Sequence, residues 1–259
     1  MGQLSGIETV LLDLDGTLYV GSQVVPGARE AVRRLRDQGL VVRFTTNTDS
    51  IVPAMLAERL AGFGFQVSEE ELVTPVAVAA RMFTSAEGAR VLAVAAEPVR
   101  RLLAGCLAGP EEPATHVLVA DPSYGATYDD LDAAFRVLRA GAELVATQVN
   151  RVAVRDDGEH LDTGGWVRLL EYATGSSARV LGKPSPEFFT APLDALGRGP
   201  DTALVVGDDL AADTGGGHAV GAATVLVRSG KGDRPQPGAD DEPDAVVDSV
   251  ADLPGLLQR

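Results

Sequence analysis

At 259 residues the chain is long enough for one large α/β unit, or for a core carrying an inserted domain, each with a sizeable hydrophobic centre. A formal net charge of −15 with a pI near 4.5 leaves no basic patch for nucleic acid or an anionic membrane surface, and neither is expected as a partner. Hydrophobic residues make up 45% of the chain, mean hydropathy is +0.08, no run reaches the length of a membrane span, and the single cysteine, Cys106, excludes an internal disulfide.

Strand and helix signals alternate from the N-terminus onward, the pattern of a doubly wound parallel sheet. The opening MGQLSGIE has neither the basic start nor the apolar run of a signal peptide, and Gly6 stands where a myristoylation signal needs Ser or Thr, so cytoplasmic residence is expected. An apolar strand from Thr9 leads into Asp13 and Asp15. A helix over Pro26 to Gln38 follows, with Ala28, Ala31, Val32 and Leu35 on one face and Gly39 as its stop. The run Leu40 to Val42 starts a second strand ending at Thr46 and Asn47, and Pro53 opens another helix. Ser68 with Glu71 reads as a capping box.

From residue 76 to 177 the alternation forms a set of its own. A helix begins at Val76, strands lie near Val91 to Val94, His116 to Ala120 and Glu143 to Thr147, and a helix covers Tyr128 to Arg139. The domain expectation is therefore a core of residues 1–75 and 178–259, with an inserted α/β domain over 76–177. A strand Arg179 to Leu181 is expected to carry the chain back to the core. It is followed by a helix Pro186 to Leu196, a strand Ala203 to Val206, a helix Leu210 to Val220 and a strand Ala223 to Val227. Lys231 to Pro243, rich in Pro, Gly and acids, reads as a surface loop.

Chemistry concentrates where these strands end. Asp13, Asp15 and Gly16 close the first strand, Thr46 and Asn47 the second, Lys183 follows Arg179 to Leu181, and Asp208, Asp209 and Asp213 follow Ala203 to Val206. Ligands of open α/β sheets bind beyond the carboxyl ends of the strands, so acids placed there are candidates for catalysis. Asp-Gly is also an ordinary turn dipeptide, and acids also favour helix starts, so each residue alone admits a plain structural reading. Lysine is nearly absent from the chain: Lys183 and Lys231 are the only two. Glycines 215, 216, 217 and 221 narrowly miss the dinucleotide fingerprint and read as close packing or phosphate-site backbone. Trp166, after Gly164 and Gly165, reads either as shaping substrate entry or as packing.

Taken in order, DLDGT, TTN, GKP and GDDLAAD resemble the four motifs of the haloacid dehalogenase superfamily, and the intervening hundred or so residues resemble the subgroup with a large α/β cap, the NagD-like and 4-nitrophenylphosphatase type. FTTNTDS, EYATG and the glycine-rich stretch after Asp213 are most similar to the branch of phospholysine phosphohistidine inorganic pyrophosphate phosphatases. The resemblance implies a Rossmann-like three-layer core with an inserted cap, and a phosphatase for small phosphorylated metabolites. It implies Asp13 as nucleophile, Asp15 as general acid and then base, Thr46, Gly16 and Asn47 as phosphate contacts, and Lys183 as the neutralising cation.

By the same resemblance the cofactor is Mg2+, held by the Asp13 side chain, the Asp15 main-chain oxygen and Asp208, with Asp213 acting around the metal waters or Lys183. Such a cation is also needed on physical grounds: like charges ~4 Å apart repel by about 4 kcal/mol at an effective dielectric of roughly 20, and the substrate is itself an anion. Asp15 favours phosphate hydrolysis over dehalogenation, because only an ester leaving group needs a proton. A homodimer formed through the cap is a further expectation. The alternatives are a phosphomutase or phosphotransferase, and a catalytically silent Mg2+ or metabolite-binding protein on the same scaffold.

Overall fold

The computed structural model describes residues 4–109, 112–155, 158–233 and 242–258, and most of the presumed loop Lys231 to Pro243 lies outside them. The chain forms two compact units: residues 1–46, 57–73 and 183–259 in one, residues 47–56 and 74–182 in the other. Segments 47–56, 74–75 and 178–182 therefore belong with the second unit, where the sequence reading had placed them in the core.

The first unit is built on a six-stranded parallel sheet. Its spatial order is Ala245–Val247, Ala223–Val227, Ala203–Gly207, Thr9–Asp13, Val41–Thr45, Leu72–Val73. Thr9–Asp13 and Ala203–Gly207 are buried along their whole length, as strands covered on both faces must be, and this explains their unbroken apolar runs. The chain goes from the central strand to one edge, then returns to fill the other, so direction reverses beside Thr9–Asp13. That is the switch point at which open α/β sheets bind ligands. Register sets Asp13 level with Thr45, and Leu12 level with Val206. The next residues out, Thr46 and Asp208, thus leave the sheet at about the height of the first acid.

Helix Ala28–Asp37 buries the expected Ala28, Ala31, Val32 and Leu35, and Gly39 takes the left-handed φ of 84° that ends it. Ser68 and Glu71 do form a reciprocal capping box, on a single 3-10 turn, Glu69–Glu71. The expected helix Leu210 to Val220 is split. Leu210–Gly215 is a wide π-type turn, and only Gly216–Val220 is α-helical. Two short strands, Tyr19–Val20 and Gln23–Val24, form a hairpin that local sequence did not announce.

The second unit has its own parallel sheet, ordered Arg179–Val180, Glu143–Ala146, His116–Ala120, Val91–Ala95. Arg179–Val180 pairs here, with Val145 and Ala146, so this strand closes the second unit and does not return the chain to the core sheet. Period-two alternation divides the packing. Leu118 and Ala120 join Val76, Phe83 and Val99 on one face, while Val117 and Val119 join Leu138, Val167 and Leu170 on the other. Each Val, Leu or Phe among these contributes roughly 1.5–3 kcal/mol on burial. Helix Thr163–Thr174, capped by Asp162, was not expected from its glycines. A Cβ at Gly164 would come 2.3 Å from the Val149 carbonyl oxygen, so the residue is set by backbone proximity. Trp166 lies on this helix, partly buried against the Val167 and Leu170 cluster, which is a packing role.

A buried carboxylate ties the carboxyl end of this sheet together. Asp49 Oδ2 accepts from Thr147 Oγ1 at 2.6 Å, Thr163 Oγ1 at 2.9 Å and the Asp121 amide at 3.2 Å. Asp121 holds a positive φ of 26°, rare outside glycine, and its amide also donates to Thr163 Oγ1. Burial raises the Asp49 carboxyl to about 7, against the lowering effect of the threonine hydroxyls. An acid with a raised native pKa binds more protons folded than unfolded, so its contribution to stability is greatest below the unfolded value near 4 and is lost as pH rises towards 7. Asp49→Asn, which keeps an acceptor and cannot ionise, is expected to gain melting temperature relative to wild type between pH 5 and pH 8. Thermal unfolding followed by circular dichroism checks this; a difference constant with pH would refute it.

Candidate active site

The carboxyl edge of the first unit's sheet gathers charge out of water. Asp13, Lys183, Asp208 and Asp213 are each no more than 4% exposed. Lys183 Nζ donates to Asp13 Oδ1 and to Asp213 Oδ1, both at 2.6 Å. Asp13 Oδ2 accepts from Thr17 Oγ1 at 3.2 Å. Carboxylate oxygens of Asp13, Asp208 and Asp213 lie within 4.8 Å of one another.

Local backbone explains each placement. The π-type turn carries Asp213 back toward the strand end: its amide bonds the Asp209 carbonyl, and its Oδ2 accepts from the Asp209 amide at 3.2 Å. Gly16, at φ 90°, and Gly230 press on Asp208, since a Cβ at either would come within 2.1 Å of its Oδ2. The Lys231 amide donates to that same oxygen at 2.6 Å, and Ser229 Oγ donates to the Gly16 carbonyl at 2.7 Å. Asp209 turns away. It accepts from the Ala211 and Ala212 amides and from Lys231 Nζ at 3.0 Å, a capping and pairing role. Lys231, taken as the start of a surface loop, therefore borders the site.

Burial raises Asp13 to about 6 against the pull of Lys183, with Asp208 adding to the rise. Burial likewise raises Asp208 to about 6, with Asp213 adding to the rise, and Asp213 to about 7 against Lys183. Burial disfavours the Lys183 cation, but Asp13 and Asp213 outweigh it and the ammonium is held charged well above its ordinary range. Asp15 is exposed as a residue but stands in a crowded setting; desolvation raises it, with Arg59, Lys231 and Lys183 opposing. Three carboxylates against one buried ammonium leave a surplus of negative charge. An all-oxygen donor set of this kind suits a hard divalent cation.

The sequence-expected residues thus fall into groups. Asp13, Lys183, Asp208 and Asp213 come together, Gly16 packs on Asp208, and buried Thr46 follows the strand paired with the first. Asn47 falls in the second unit, where a Cβ on Gly182 would lie 2.6 Å from its Oδ1. Thr17, Ser229, Gly230 and Lys231 were not singled out as site residues. Thr17 could have been read from its place four residues after Asp13, and Lys231 from the scarcity of lysine.

Comparison with known proteins agrees with this geometry. Residues 10–106 match the family model of haloacid dehalogenase-like hydrolases, and 180–253 match a second model described as HAD-hydrolase-like. The chain is 35% identical over 241 residues to phospholysine phosphohistidine inorganic pyrophosphate phosphatase of Xenopus laevis, covering 88% of this chain and 85% of the relative. The chain belongs to the haloacid dehalogenase-like hydrolases. Among solved structures, the p-nitrophenyl phosphatase of Archaeoglobus fulgidus superposes with a TM-score of 0.89 at 27% identity, covering 96% of this chain and 99% of that one. The glycerol phosphate phosphatase of Mycobacterium tuberculosis, in complex with magnesium, superposes at 0.86 with 29% identity over 98% of this chain and 79% of that one. The expected family and its NagD-type architecture are therefore the observed ones. No helix among the described residues is long and apolar enough to cross a membrane.

Because a Cβ at position 230 would displace Asp208, Gly230→Ala is expected to weaken Mg2+ binding at least about tenfold, a modest misplacement of one ligand. Asp208→Asn is expected to weaken it further. In the wild type, binding should also fall as pH drops from 7.5 to 5.5, since the raised acids take up protons that the cation must displace. Isothermal titration calorimetry measures all three.

Proposed function

We propose that this haloacid dehalogenase-like hydrolase is a Mg2+-dependent phosphatase of small phosphorylated metabolites, acting through an aspartyl-phosphate. The observation that carries the reading is the Lys183 ammonium held 2.6 Å from both Asp13 and Asp213 at the sheet's switch point. Lys183 and Thr17 orient the Asp13 carboxylate by holding one oxygen each, and Lys183 keeps it ionised in a buried setting that otherwise favours the neutral acid.

In the first half-reaction an Asp13 oxygen attacks phosphorus, a phosphorus–oxygen bond forms, and the bond to the leaving oxygen breaks as Asp15 donates its proton there. In the second, water attacks the same phosphorus while Asp15 takes a proton from it. The bond to Asp13 breaks, releasing inorganic phosphate and restoring both acids. The raised carboxyl of Asp15 suits a group that must hold a proton and then accept one. Thr46 would hydrogen-bond a phosphoryl oxygen, and Lys183 would balance charge on the transferring group. Asp13, Asp208 and the Asp15 carbonyl, with Asp213 beside them, would hold Mg2+, which supplies charge neutralisation for the phosphoryl oxygens when bound.

The inserted unit acts as the cap in this reading, excluding water and restricting access to small substrates. The relatives named as p-nitrophenyl, glycerol phosphate and pyrophosphate phosphatases support phosphoester or phosphoanhydride chemistry. Cytoplasmic residence and a homodimer through the cap belong to the same reading. Leu169 and Tyr172, exposed on helix Thr163–Thr174, supply apolar surface for such a contact.

Phosphate release from p-nitrophenyl phosphate is expected to require Mg2+ and to fall by at least about a thousandfold in Asp13→Asn, as loss of a covalent nucleophile implies. Acid-quenched wild type should carry phosphate on Asp13, detectable by mass. Turnover that survives Asp13→Asn would refute the covalent route.

A further inference from the structure

The general acid of the proposed reaction has a cation beside it that the chemistry leaves unused. Arg59 lies on helix Pro53–Gly62, its guanidinium carbon 5.1 Å from the ring centroid of Tyr19 and 5.7 Å from that of Phe63. Tyr19 is fully buried and tied to the acid's own loop: Asp15 and Tyr19 form a β-bridge, and the Gly16 amide donates to the Tyr19 carbonyl at 2.7 Å. The phenol hydroxyl has no hydrogen-bond partner among the described residues, so the ring is retained as a platform at the cost of a buried polar atom. Two aromatic faces thus hold the guanidinium next to the segment that presents Asp15.

Arg59 is exposed, and its hydrogen bond is a long one, Nη2 to the Gly21 carbonyl at 3.4 Å. No carboxylate among the described residues pairs with it, in a chain with 37 acids against 22 lysines and arginines. A guanidinium offers a planar fork of donors suited to carboxylate or phosphate. Asp15 protonates the leaving oxygen in the phosphatase reading, so the atoms bonded beyond that oxygen lie on the Asp15 side of phosphorus, and Arg59 stacks on the ring of Tyr19, the residue whose backbone bridges Asp15.

We propose that Arg59 binds an anionic group on the leaving portion of the substrate, so that the protein prefers phosphoesters whose alcohol carries a carboxylate or a second phosphate. This specificity role rests on the phosphatase reading above, with Asp15 as the acid. It narrows the substrate class from phosphorylated metabolites in general to those with an anionic leaving group.

The test compares two small esters of similar size, 2-phosphoglycolate with a carboxylate on its leaving group and 2-hydroxyethyl phosphate without one. The ratio of their kcat/KM values is measured for wild type, Arg59→Gln and Arg59→Lys. A ratio taken within one preparation cancels any loss of folded protein. Wild type is expected to favour 2-phosphoglycolate, Arg59→Gln to lower the ratio about tenfold, chiefly through KM, and Arg59→Lys to retain part of it. The wild-type preference should also shrink from low to high salt, as an exposed charge contact does. An Arg59→Gln ratio equal to the wild-type ratio, or an equal loss on both esters, would overturn the specificity role and leave the phosphatase reading standing. Wild type that releases phosphate from neither ester nor from p-nitrophenyl phosphate would overturn both.

Discussion

Everything at the sheet's carboxyl edge depends on the Lys183 ammonium standing between Asp13 and Asp213. Burying a carboxylate alone is prohibitive, and burying a lysine alone is equally so. Placed 2.6 Å apart, the ammonium and its two carboxylates satisfy one another, and removing one partner from such a set costs about 3–5 kcal/mol because a charge is left stranded. The ion pairs therefore join three segments far apart in sequence: the end of Thr9–Asp13, the loop before helix Pro186–Ala195, and the π-type turn after Ala203–Gly207.

One lysine does not balance the acids around it. Asp208 accepts from a backbone amide, and three acids stay shifted toward their protonated forms. The fold thus holds an electrostatic deficit at its switch point. Backbone packing makes the room it needs: Asp208 occupies space that a Cβ at Gly16 or Gly230 would fill, and Gly207 has the same relation to Asp213, whose Oδ2 would lie 2.1 Å from a Cβ there. A site that pre-positions negative charge in this way suits a divalent cation, and suits a substrate anion only once that cation has offset the charge.

The second unit solves a comparable problem differently. Among the described residues no cation hydrogen-bonds Asp49; two threonine hydroxyls and one amide share a single oxygen. Its contacts gather the ends of His116–Ala120 and Glu143–Ala146 and the start of helix Thr163–Thr174 at one point. That arrangement also keeps Asp121 in its unusual backbone conformation, since the Asp121 amide is one of the donors.

Much of the fold and part of the site could be read from the chain alone. Apolar runs ending in Asp13 and Asp208 are local patterns, because a strand buried on both faces has to be continuously apolar and must stop where charge begins. The same holds for helix Ala28–Asp37, whose buried face follows the 3.6-residue period. What sequence left undecided depended on pairing at a distance. Arg179–Val180 looks like any short strand, and only its partner Glu143–Ala146 decides which sheet it joins. Asp209 and Asp213 are both acids in one motif; the wide turn sends one to cap its own backbone and the other to Lys183. Gly230 and Arg59 carry no local mark of their place in the fold, because that place is made by loops and a helix meeting in space. Sequence determined which residues could do chemistry and in what order they occur, since composition and period are properties of neighbours. Tertiary structure alone decided which of them share one charge balance, since that depends on distances that no spacing along the chain contains.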